Sequence, residues 1–69
     1  MKIRVNGKET ELELSKDNAL LSKTLDLMGY RPNTIIVELN SLIINSDNWN
    51  DVSLKEGDSL EIVSIVGGG

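Results

Sequence analysis

The chain opens with apolar and charged residues in strict alternation over positions 1–5. A period of two places the apolar side chains on one face of a strand and the charged ones on the other. Asn6-Gly7 follows, and this pair favours a type I′ turn because both positions tolerate positive φ. The alternation resumes over 9–14, with Leu12 and Leu14 pointing inward. Residues 1–14 therefore predict a β-hairpin.

The next segment changes to a helical spacing. Leu21, Leu25 and Met28 recur at i, i+4 and i+7, which predicts an apolar helical stripe. Gly29 predicts the C-terminal cap, because glycine adopts the left-handed conformation without a Cβ penalty. Pro32 prevents the helix from resuming. The candidates for the N-cap of this helix are Ser15, Asp17 and Asn18.

Three further strands are predicted in the second half of the chain. Residues 34–39 are rich in β-branched side chains and predict a central strand, which Asn40-Ser41 turns into a short strand over 42–44. Residues 45–51 are polar except for Trp49 and predict a loop with the indole packed over the edge of the core. Residues 59–66 predict the last strand.

This order of elements predicts an α+β fold with a mixed sheet of four to five strands packed on one helix, in the order ββαββ with a short extra strand. One helix covers one face of a small sheet, and the long crossover suits a last strand placed parallel beside the first. The predicted inward residues are Ile3, Val5, Leu12, Leu14, Ile35, Val37, Leu39, Leu60 and Ile62, packed on Leu21, Leu25 and Met28. The 69 residues allow one domain, predicted over 1–66, with a flexible glycine tail over 67–69.

The amino-acid composition argues against several classes of function. Seven basic residues are dispersed among eleven acidic ones, for a net charge of -4, which argues against nucleic acid and anionic membranes as partners. The chain has no cysteine and no histidine, so it lacks thiolate chemistry and the commonest general base near neutral pH. The alternating start is unlike a signal peptide, and no apolar run reaches membrane-spanning length, so the cytoplasm is expected.

The tail Gly67-Gly68-Gly69 follows directly after the last strand. Three glycines form a thin arm without side chains that reaches roughly 10 Å when extended and that fits a narrow channel. Its tip carries a carboxylate, and transfer of AMP to that carboxylate would make it a good electrophile. The pattern indicates a carrier whose reactive group is the Gly69 terminus, with no catalytic side chain, although glycine-rich termini are often passive.

The last strand also indicates a docking patch. If Leu60 and Ile62 point inward, Val63 and Ile65 point outward beside the tail, and Ile36 on the central strand joins them. Isolated exposed apolar residues are common in soluble proteins, which is the alternative interpretation.

No metal site is predicted. Residues 45–51 lack the glycine and the final glutamate of an EF-hand loop. Glu9, Glu11 and Glu13 are interpreted as a solvated strand face, partly balanced by Lys2 and Arg4 across the hairpin.

The C-terminal run 61–69, preceded by Gly57-Asp58, resembles the end of the thiamine-biosynthesis sulfur carrier family, the ThiS-like proteins, which have the ubiquitin-like β-grasp fold. The opening Ile-x-Val-Asn-Gly hairpin, the strand end 38–40 and Trp49 also agree with that family, so the resemblance covers the whole chain. The sequence departs from the family at Ile65, where an aromatic residue is frequent, and at Ser46, where an arginine is frequent. Both departures bear on partner contacts.

The resemblance implies a specific chemistry for Gly69. An E1-like adenylyltransferase (ThiF-like) would adenylate its carboxylate with ATP and magnesium, and a sulfur donor such as a cysteine desulfurase would supply the sulfur of a thiocarboxylate. A thiazole synthase (ThiG-like) would then take that sulfur, while the carrier itself binds no cofactor. The alternatives are a small subunit of molybdopterin synthase, a protein modifier that forms isopeptide bonds, and a β-grasp interaction module with a passive tail.

Overall fold

The computed structural model describes residues 1–15 and 18–65. Its five strands are β1 (Lys2–Val5), β2 (Lys8–Glu11), β3 (Ile35–Leu39), β4 (Leu42–Ile44) and β5 (Ser59–Ser64). They form one sheet in the order β2-β1-β5-β3-β4, and one α-helix, α1, spans Leu21–Leu27. The mixed sheet on one helix confirms the predicted fold class.

The N-terminal hairpin forms around the predicted turn. Asn6 and Gly7 both have positive φ, 52° and 82°, as a type I′ turn requires. The strand β2 is shorter than predicted and ends at Glu11 rather than Leu14. Its partner strand β1 begins at Lys2, and Lys2 pairs with Glu11. Leu12 nevertheless donates its backbone N–H to the Met1 carbonyl at 2.7 Å.

The helix begins later than the capping pattern predicted. Its N-cap position is Leu20, which makes no side-chain cap hydrogen bond, so neither Ser15 nor Asn18 caps it, and Asp17 lies outside the described residues. Leu20 is extended instead and pairs with Ser53 in an isolated antiparallel bridge, and the neighbouring Ala19 carbonyl accepts from the Leu54 N–H at 2.7 Å. The first helical N–H, of Leu21, donates to the Val52 carbonyl at 2.8 Å. A distant backbone group therefore satisfies a donor that a side chain was expected to satisfy.

The C-terminal end of α1 is a Schellman motif. The Gly29 N–H donates to the Asp26 carbonyl and the Tyr30 N–H to the Leu25 carbonyl, each at 3.0 Å. Gly29 has φ +88°, the left-handed conformation that the sequence predicted for it. The C-cap is Met28, however, and Gly29 is the residue after it.

Replacement of Gly29 by alanine is expected to lower the free energy of unfolding by about 1 kcal/mol. A Cβ at this position meets no atom within 4 Å, so the cost arises from the left-handed backbone and not from a clash. In a domain of this size the melting temperature should fall by about 4–8 °C, measured by circular dichroism. Gly29→Asn is the control, because asparagine tolerates this backbone; an equal loss in both variants would contradict the explanation.

The strand β5 lies beside β1 and parallel to it, as the crossover predicted. On its other side β5 pairs antiparallel with β3, and β3, predicted as a central strand, lies between β5 and β4. The buried core contains most of the expected residues, with the others partly buried around it. The largest fully buried side chains of the core are Ile3, Leu21, Thr24, Leu25, Val37 and Leu60. The sequence pattern missed Thr24, whose hydroxyl donates to the Leu20 carbonyl at 2.9 Å and so enters the core satisfied.

Residues 45–51, predicted as a loop, contain a 3₁₀ helix over Ser46–Asp51. Trp49 is buried, and its indole N–H donates to the Ile44 carbonyl at 3.0 Å, which confirms the expected packing of the indole at the core edge. No helix within residues 1–15 and 18–65 is long and apolar enough to cross a membrane.

Candidate tail-bearing strand and docking face

The strand that leads to the tail is fixed at its start by Asn40. The Asn40 side chain accepts from the Ser59 N–H at 2.9 Å and donates to the Asp58 carboxylate at 3.0 Å. Its backbone N–H donates to the Ser59 carbonyl at 2.8 Å. Asn40 has φ 51°, so one residue both turns β3 into β4 and holds the first residue of β5.

Asn6 fixes the same strand further along. Its backbone N–H donates to the Leu60 carbonyl at 2.8 Å, and its side-chain oxygen accepts from the Ile62 N–H at 2.7 Å. Because β1 ends at Val5 and the chain turns at Asn6, the Asn6 side-chain oxygen supplies the acceptor that its backbone carbonyl would supply in a longer parallel pair. Sequence reasoning assigned Asn6 to the turn alone, since nothing local shows which distant N–H its side chain meets.

We expect Asn6→Gly to expose the Ile62 amide to hydrogen exchange at least tenfold faster, because glycine keeps the left-handed turn but lacks the acceptor. Asn6→Asp keeps both the turn preference and an acceptor oxygen, so its Ile62 protection should remain near that of the unaltered chain. Amide exchange followed by NMR on both variants measures the difference. Equal protection in the two variants would show that the side-chain bond does not hold β5.

The outward residues predicted beside the tail are exposed. Ile36 on β3 lies directly opposite Val63 on β5, and these side chains are 42% and 55% exposed. Ile65 is 52% exposed, and its backbone N–H donates to the Thr34 carbonyl at 2.9 Å, which continues the pairing past the end of β5. The three residues thus lie on the sheet face away from α1, and their role in docking stays a prediction.

A fourth residue, Ile43 on β4, enlarges this surface. It is 61% exposed and lies on the same face, opposite Glu38. Ile36, Ile43 and Ile65 line a shallow groove together with Pro32 and Trp49. Sequence reasoning missed Ile43 because a strand of three apolar residues shows no alternation from which a face can be assigned. We call Ile36, Ile43, Val63 and Ile65 together the apolar face.

The tail itself is not described: Val66 and the predicted reactive residues Gly67, Gly68 and Gly69 lie outside the described residues, as do the predicted end of β5 and the division at residue 66. In the sequence, Val66 alone separates Ile65, the last described residue, from the first glycine of the tail. Within residues 1–15 and 18–65 there is no cluster of three metal-ligating side chains.

The sequence over residues 3–69 matches the ThiS family. The chain belongs to the ThiS family. It is 33% identical to the sulfur carrier protein ThiS of Bacillus subtilis, over 97% of this chain and 98% of that protein. The fold agrees with the crystal structure of the thiamine biosynthesis protein ThiS from Geobacter metallireducens, with a TM-score of 0.83, 24% identity and full coverage of both chains.

Longer proteins also contain a segment similar to ThiS. The chain is 32% identical to the thiazole synthase of Magnetococcus marinus and 34% identical to that of Paramagnetospirillum magneticum, over its whole length in both cases. It spans only 20% of the length of each synthase. As a ThiS-family chain, the protein is a sulfur carrier of thiamine biosynthesis and not itself an enzyme, which confirms the interpretation of the sequence.

Proposed function

We propose that this carrier works through the carboxylate of Gly69. An E1-like adenylyltransferase catalyses attack of a carboxylate oxygen on the α-phosphorus of ATP, with magnesium, and pyrophosphate leaves. The terminal sulfur of a persulfide on a donor such as a cysteine desulfurase then attacks the acyl carbon, and AMP leaves. A thiol attacks the donor's cysteine sulfur in the resulting acyl disulfide, so that a disulfide forms and the thiocarboxylate is released. The product is a C-terminal thiocarboxylate, a nucleophilic sulfur held on a protein.

The observation that carries this proposal is the arrangement around β5. The strand is bonded on both sides, by Asn6 and by Asn40, and it leads from a buried core residue, Ile62, past the apolar face to the three glycines. A rigid strand followed by a side-chain-free arm lets a partner bind the folded domain and receive only the arm in its active site.

We propose a thiazole synthase as the recipient of the sulfur. Two thiazole synthases contain a segment similar to this whole chain. Joining two proteins in one chain raises the effective concentration of one near the other, which benefits partners that act in succession. These fusions, together with the family match, favour the thiazole pathway over the molybdopterin synthase subunit, the protein modifier and the passive module. ATP-dependent activation and a thiol-based sulfur donor suit the reducing cytoplasm, where we place the protein.

A strain that lacks its own ThiS tests the pathway. The gene for this chain should restore growth without thiamine, whereas a gene lacking the Gly69 codon should not. Added thiazole should restore growth in both cases, because it enters the pathway after the sulfur transfer. Rescue by thiazole but not by the unaltered gene would show that the chain does not serve thiazole synthesis, and rescue by the gene lacking the Gly69 codon would show that Gly69 is not the reacting residue.

A further inference from the structure

Two glutamates lie directly opposite each other on the outer face of the sheet. Glu38 on β3 pairs with Glu61 on β5, one step along the strands from Leu39 and Leu60 and two steps from Ile36 and Val63. Like charges placed directly across a strand pair repel each other and destabilise the sheet. Within the described residues neither carboxylate has a lysine or arginine nitrogen within 4.0 Å, since the ion pairs found there are those of Glu9 and Glu11.

The repelling pair borders the apolar face. Glu38 also lies opposite Ile43, so it is flanked by an apolar side chain on one strand and by Glu61 on the other. On β3 and β5 the outer face is therefore apolar at Ile36 and Val63, toward the tail, and doubly negative at Glu38 and Glu61. Arg4 lies on the same face of β1, opposite Ser59. Charged residues at the edge of an apolar surface set the speed and the selectivity of association with a partner of opposite charge.

We propose that Glu38 and Glu61 form an acidic recognition element for a partner that presents an arginine or lysine beside an apolar surface. A guanidinium or ammonium placed between the two carboxylates would relieve their repulsion at the same time as the apolar face is covered. This proposal rests on the proposed function, because the partner used to test it is the E1-like adenylyltransferase. Beyond the proposed function, it specifies that the partner surface is positively charged and that Glu38 and Glu61 recognise that charge.

The double variant Glu38→Gln/Glu61→Gln tests the proposal, with binding to the purified adenylyltransferase measured by stopped-flow and calorimetry. At low salt its affinity should fall about tenfold or more, and the difference should shrink as salt screens the charges. The melting temperature should rise by about 2–4 °C, because the repulsion is gone. Weaker binding from a more stable carrier cannot come from damage to the fold.

The matched control is Glu13→Gln/Asp26→Asn, which removes two exposed negative charges away from the apolar face. It should bind within about twofold of the unaltered chain. Equal affinity of the two double variants, or no loss in the first, overturns the proposal even when the unaltered carrier binds and becomes a thiocarboxylate. If the unaltered carrier neither binds nor forms a thiocarboxylate, the proposed function fails, and this inference fails with it.

Discussion

Deletion of Gly69 is expected to slow adenylation of the carrier by at least 1,000-fold. Removing one residue draws the terminal carboxylate back by about 3.3–3.6 Å along an extended arm. A displacement of 1 Å at a reacting group costs about 100-fold in rate, so a displacement of this size takes the carboxylate out of reach of the α-phosphorus. Exchange of labelled pyrophosphate into ATP measures the adenylation step directly.

A second variant distinguishes the length of the glycine arm from its thickness. Gly69→Ala keeps the length of the arm and adds one methyl group, so it should retain more activity than the deletion. Both changes lie beyond Ile65, the last described residue, and should leave the melting temperature and the affinity for the activating enzyme close to those of the unaltered chain. Undiminished adenylation of the shortened chain would show that Gly69 is not the reacting residue.

The second large effect is expected at the apolar face. The double variant Ile36→Thr/Val63→Thr should weaken binding to the adenylyltransferase about 100-fold. These side chains lie directly opposite each other and are about half exposed, so a partner can bury the apolar surface that the fold leaves accessible. Loss of roughly 1–1.5 kcal/mol of apolar burial from each side chain gives this change in affinity. Threonine keeps β-branching, so β3 and β5 should remain intact.

The control for this variant is Leu27→Gln. Leu27 is 76% exposed, more than either sheet residue, but it lies on α1, and the apolar face lies on the side of the sheet away from that helix. Glutamine is a good helix former, so the change should not disturb α1. Calorimetry should show unchanged affinity for Leu27→Gln. A comparable loss in both variants would mean that general surface hydrophobicity, rather than the outer sheet face, governs binding.

The position of β5 beside β1 was predictable because a crossover that contains a helix is long enough to join two parallel strands. The alternation in β1 and β5 identified Ile3, Leu60 and Ile62 as buried, and the structure confirms all three. The same alternation correctly placed Val63 outside. Each of these positions follows from local periodicity alone, which a sequence displays directly.

Most of the misses depend on contacts between residues that are far apart in the sequence. The start of α1 depends on the Val52 carbonyl, and the bond that fixes Ile62 depends on Asn6, 56 residues away. Capping propensities and turn preferences contain no information about such distant partners. The burial of Thr24 has a local cause instead, because its hydroxyl donates to the Leu20 carbonyl one helical turn back, which makes a polar residue acceptable in the core. The face of Ile43 became clear only from its pairing with Glu38.

The most direct test of the carrier mechanism is intact mass spectrometry of the chain after incubation with ATP, magnesium, a sulfide source and the E1-like enzyme. We predict a mass gain equal to one oxygen replaced by sulfur, trapped by an alkylating reagent and absent when Gly69 is deleted. The trapping step separates a thiocarboxylate from an oxidised Met1 or Met28, which gives nearly the same gain. A chain that remains at its original mass while the enzyme adenylates and thiolates an established ThiS protein would contradict the proposed role of the tail.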